Sequence, residues 1–66
     1  ELEADAVYRA ACELAPLWAG RRVPIFIDSA AFFYALKKGR SPIKFLDATI
    51  RAVHRLAIQH NFILIP

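Results

Sequence analysis

Two short runs of β-branched and aromatic residues, Val23 to Ile27 and the segment "NFILI" from Asn61, constrain the fold of this chain more than anything else in it. Neither run alternates apolar with polar residues, the pattern expected of a strand buried on both faces of a parallel sheet. Residues with helical periodicity lie between them, so a helical crossover should join two parallel strands. Pro24 lacks a ladder donor, and pairing of the first strand is expected to begin after it. Two strands are too few for an independent sheet. With 66 residues, 58% of them hydrophobic, the chain is more apolar than an ordinary soluble domain. It reads as a single partial α/β domain over 1–66, part of a larger core.

The remaining elements follow from period and punctuation. Leu2, Ala6, Val7, Ala10, Ala11 and Leu14 recur at helical spacing, with Glu3, Asp5, Arg9 and Glu13 between them, which predicts an amphipathic first helix. Pro16 disfavours the helical conformation at Ala15, so the helix is expected to end or kink there, with Trp18 anchoring an extra turn closed by Gly20. Ser29 is the expected N-cap of a second helix that runs through Lys38 and stops at Gly39, with Lys37 and Lys38 at the end favoured by the helix dipole. Ser41 is the expected N-cap and Pro42 the first-turn proline of a long third helix, whose apolar stripe is Ile43, Leu46, Ile50, Val53 and Ala57. The predicted order is helix, strand, helix, helix, strand.

Several classes of function are disfavoured. Cys12 is the only cysteine, so neither a disulfide framework nor a zinc cluster is available, and a small core residue in a reducing compartment is the simpler reading. His54 and His60 are six residues apart with no zinc-like partner spacing, and are read as a surface histidine and a helix C-terminal residue. No apolar stretch is long enough to span a membrane, and the N-terminal "ELEAD" is acidic where a signal peptide is basic. An intracellular protein, cytoplasmic or nuclear, is expected. The net charge of +3 mildly favours a polyanionic partner.

Chemistry is most readily placed at Asp28. Ligands of open parallel sheets bind beyond the carboxyl ends of the strands, and a carboxylate there, beside a helix N-terminus, suits a divalent metal. The competing reading is that Asp28 and Ser29 only cap the second helix. Metal sites built from oxygen ligands need more than one carboxylate. Of the other acids, Asp47 reads as a solvated helix residue and Glu1 as an acid opening the first helix, where the dipole favours it. Lys37, Lys38, Arg40 and Lys44 form a loop cluster able to meet phosphates, with Arg21 and Arg22 as a second basic pair, though no exposed aromatics are evident among them.

Taken in order, Glu1-Leu2, Trp18-Ala19-Gly20-Arg21, Asp28-Ser29, Lys38-Gly39-Arg40-Ser41 and His60-Asn61-Phe62-Ile63-Leu64 resemble the central part of the ribonuclease H-like domain of retroelement reverse transcriptases. The resemblance covers nearly the whole chain, and its specificity lies in the order and spacing of short motifs. It implies a partial ribonuclease H-like fold in which Glu1 and Asp28 belong to a carboxylate set. That set holds two magnesium ions for cleavage of the RNA strand of an RNA–DNA hybrid. It also implies that further carboxylates and three strands come from outside these residues, from the same chain or a partner, and that the 66-residue chain alone is inactive. Two alternatives stand beside it. The segment "FIDSAAFFYALKKG" is similar to the first strand and helix of PIN-type nucleases, where the strand-end aspartate again binds metal. A recruited, non-catalytic segment could instead serve as a scaffold or binding element in a larger assembly.

Overall fold

A computed structural model describes residues 2–66. It contains α1 (Leu2–Trp18), β1 (Arg22–Pro24), α2 (Ala30–Lys38), α3 (Lys44–His60) and β2 (Ile63–Ile65). The architecture is mixed helix and strand: three helices and a two-stranded parallel sheet in which Arg22, Val23 and Pro24 face Ile63, Leu64 and Ile65. No helix is long and apolar enough among the described residues to cross a membrane.

The sheet departs from the expected one in two ways. Pairing begins at Arg22 and includes Pro24. The reason is geometric. Ile63 donates its N–H to the Arg21 carbonyl and Ile25 donates to Ile65, at 3.0 and 2.9 Å on either side of β1, so the odd-numbered residues along this segment bond towards β2 and the even-numbered ones turn their polar groups outward. The missing N–H of Pro24 therefore faces the open edge, where no ladder bond is lost. The strands are also not buried on both faces. Ile25, Ile27 and Leu64 pack on the helices, whereas Phe26 is 87% exposed and Ile63 and Ile65 are exposed on the other side. All three helices supply core residues on one face, and the opposite face is bare.

The core has two parts. Ala4, Phe32, Ala35, Leu36, Leu46, Ile50 and Val53 bury one, and Ala11, Ala15 and Phe62 the other. Within the α3 stripe Leu46, Ile50 and Val53 are buried as expected, but Ile43 is exposed because the helix begins one residue later. The N-cap is Ile43, not Ser41, and no side chain caps it. Ser41 instead accepts the Ile43 N–H at 3.1 Å and donates its own N–H to Asp47 at 2.9 Å.

Two expectations for α1 are corrected. The helix, expected to end or kink at Ala15, does not end there but continues through Pro16 to Trp18. A proline this close to a helix end removes one bond, to the carbonyl of Cys12, and that residue is exposed to water. Cys12 is accordingly not a core residue. Trp18 does anchor the following turn, packing edge-on against Phe62 with ring centroids 5.3 Å apart. Gly20, at φ +74°, donates to the Asn61 carbonyl at 2.6 Å, which ties this turn to the start of β2.

Candidate functional site between β1 and α2

β1 ends at Pro24, short of the expected strand end at Ile27, so Asp28 lies in the segment between β1 and α2, where it meets Glu3 in the first turn of α1. Ser29 is extended, with φ −74° and ψ 120°, and its Oγ accepts the Phe32 N–H at 3.2 Å. This is the expected N-cap, and it answers part of the question about Asp28: the serine does the local capping. The second part is answered by Glu3, read from the sequence only as a polar residue on the outer side of α1. Its carboxylate straddles two consecutive backbone groups, Oε2 accepting the Asp28 N–H at 2.9 Å and Oε1 the Ser29 N–H at 3.1 Å. A carboxylate at that position also suits the positive end of α2.

The helix start is thus served by Ser29 and Glu3. The Asp28 carboxylate is exposed and makes no hydrogen bond or ion pair among the described residues. Glu1, the other expected metal ligand, lies outside the described residues. Among the described residues no group of three or more histidine, cysteine or acidic side chains is gathered closely enough to hold a metal ion. Asp28 offers free carboxylate oxygens, while those of Glu3 are engaged with the backbone. A magnesium centre here needs carboxylates in addition to these two.

The basic cluster lies at the other end of α2. Gly39 closes the helix at φ +81° and donates its N–H to the Ala35 carbonyl. Of the four cations expected to act together, Lys37 stands over the Phe33 ring with its Nζ 5.6 Å from the centroid. Lys38 and Arg40 line two adjoining clefts at the α2–α3 turn. Lys44 opens α3, exposed, and lines neither cleft. The structure adds Arg51, whose Nε donates to Asp47 at 2.8 Å. Asp47 is therefore not simply solvated: Arg51 first, and then the Ser41 N–H, hold its carboxyl below the usual range. Tyr34 and Phe45 are each 58% exposed, and Tyr34 lines one of these clefts together with Lys38 and Arg40. Their helical positions, and not their composition, bring them to the surface.

Two other groups differ from expectation. His54 is half-buried, with Nε2 3.3 Å from the Leu36 carbonyl, so it links α3 to the last turn of α2; in the Nε2-protonated tautomer it donates this bond. Tyr8 has its phenol raised above the ordinary value, chiefly by a hydrogen bond with Cys12 one turn along α1. Neither lies at the strand end. No family model matches the chain, and no curated protein or solved structure matches it.

Proposed function

We propose that the chain is the central part of a ribonuclease H-like nuclease domain, in which Asp28 and Glu1 are metal ligands. The observation that carries this reading is the unengaged Asp28 carboxylate, left over in the segment that leads from β1 to α2 after Ser29 and Glu3 have met the needs of the α2 N-terminus. The Glu3 clamp supports it further, because it holds the acidic first turn of α1 against the segment that carries Asp28. In this reading magnesium supplies an activated water and charge neutralisation at the phosphate when the complete carboxylate set is present. Asp28 contributes a positioned anionic ligand, and the RNA strand of an RNA–DNA hybrid is the substrate. Lys37, Lys38, Arg40 and Lys44 supply attraction for its phosphates. The described residues do not complete a metal site by themselves, so the 66-residue chain alone should not cleave. The PIN-type reading is less economical, since Ala4, Ala11 and Ala15 make α1 integral to both parts of the core.

The test is magnesium-dependent cleavage of a labelled hybrid by the longer protein that contains the missing carboxylates. Asp28→Asn and Glu1→Gln should each abolish cleavage while circular dichroism stays unchanged; preserved cleavage in both would sink the catalytic reading. One observation favours a second reading, a scaffold within a larger assembly: the bare sheet face bearing Phe26, Ile63 and Ile65. Absence of cleavage in the unsubstituted full-length protein, with the fold intact, would favour that role.

A further inference from the structure

One side of α2 is built as half of a cleft. Ala31, Tyr34, Ala35 and Lys38 are spaced by three and four residues and so share one side of the helix. The chain reverses at Gly39 and carries Ser41, Pro42 and Ile43 back across them, enclosing about 200 Å³. Two alanines keep the floor low. Tyr34, 58% exposed, stands as an aromatic wall, braced edge-on by Phe33 at a centroid distance of 5.3 Å. Pro42 and Ile43 are the apolar residues on the turn side.

A second cleft, of about 350 Å³, shares Lys38, Arg40, Ser41 and Pro42 with the first and extends to Asp47 and Arg51. The two clefts are thus back to back across a basic wall: one is aromatic and apolar, the other charged. Lys38 and Arg40 have no ion pair among the described residues, so their charge is available to an incoming anion. A ligand matching both sides carries a flat, largely apolar ring on one part and an anionic group a short distance away.

We propose that this double cleft binds one nucleotide unit of a single-stranded nucleic acid, with the base against Tyr34 and the adjoining phosphate at Lys38 and Arg40. A base in a duplex is stacked on its neighbours and cannot enter such a cleft, whereas an unpaired base is free to stack on an aromatic side chain. Stacking reads no sequence, so the site tolerates any base. The inference rests on the nucleic-acid reading of the basic cluster given above, and it adds an unpaired strand as what the far end of α2 recognises.

The experiment measures binding by fluorescence anisotropy of the full chain, with a chelator present so that no metal-dependent step contributes. Labelled oligothymidylate, oligouridylate and a blunt mixed-sequence duplex are compared, with uridine monophosphate as competitor. Single strands should bind more tightly than the duplex. Tyr34→Ala should weaken single-strand binding by about five- to a hundredfold and leave duplex binding unchanged, while Tyr34→Phe should retain it. Ala31→Leu, which fills the floor from an exposed helix position, should weaken single-strand binding without removing charge. Lys38→Gln should lower the slope of log affinity against log salt by roughly 0.7. Unchanged single-strand affinity in both Tyr34→Ala and Ala31→Leu, with circular dichroism preserved, would overturn the proposal, as would a duplex that binds as tightly as a single strand. Displacement by uridine monophosphate at concentrations comparable to the oligomer would overturn the strand requirement. Cleavage is not read, so loss of the catalytic reading leaves this result standing, and the reverse is also true.

Discussion

The two ends of α2 carry opposite charge and are closed in different ways. At the start, a local cap from Ser29 is joined by Glu3, a carboxylate from 25 residues earlier in the chain. At the finish, Gly39 turns the backbone through a left-handed conformation that needs no side chain, and His54 of α3 meets the Leu36 carbonyl. Both ends follow the helix dipole, acids at the beginning and lysines in the last turn. At each end charge remains after the helix has been satisfied. Asp28 remains at one end and Lys38 and Arg40 at the other. That surplus separates groups that build the helix from groups available to a ligand, a separation that charge counting alone does not provide.

Four substitutions or conditions test this division, and all can be read as stability. Glu3→Ala removes the acceptor for two backbone donors, and should cost about 1–3 kcal/mol in urea unfolding; Glu3→Gln, which keeps one acceptor oxygen, should cost less. A silent Glu3→Ala would mean that water serves these donors equally well. Ser29→Ala should cost about 1 kcal/mol through loss of the cap, and Ser29→Asp should recover most of it. For Asp47 the sign is set by its lowered pKa. A carboxylate depressed in the folded state adds stability above its ordinary value of 3.8, and loses that contribution as the pH falls through the folded value. Thermal midpoints of the protein and of Asp47→Asn should therefore differ near neutrality and converge in acid; parallel curves across that range would refute the assignment. Asp28→Asn should have the smallest effect, within about 0.5 kcal/mol as for an ordinary surface change. A larger loss would place Asp28 among the groups that build the helix and remove the basis for its proposed role.

Local signals were legible where a residue's role is settled by its immediate neighbours in sequence. Ser29, Lys38 and Gly39 bound α2 as expected, and Leu46, Ile50 and Val53 face the core because the period of α3 has a single apolar solution. The element order and the parallel pairing followed from two apolar runs separated by helices. What was hidden depends on packing between distant segments. Nothing near Glu3 in the chain indicates that its carboxylate closes another helix, and nothing near His54 points to Leu36. Composition also misled. The unbroken apolar run from Ile25 to Ile27 suggested burial on both faces, yet Phe26 lies on the uncovered side. Pro16 carries a rule against helix interiors whose cost is small near a helix end, and Cys12 faces water despite a residue type that favours the core. The position of Asp28 just before α2 could be read in advance, but not that β1 stops at Pro24 and leaves the aspartate in the connecting segment. The assembly of a metal site around it could not, because the described residues bring no third ligand there.

The donorless nitrogen of Pro24 has a consequence for how this chain meets its own copies. Along the open edge of β1 the outward-facing N–H groups belong to Arg22 and Phe26, with a gap between them where a regular neighbouring strand would place an acceptor. A stack of identical edges, in which each strand templates the next, repeats that gap at every layer. The bare apolar face supplies stickiness without direction, and the proline interrupts the ladder that would turn such contacts into a growing fibre.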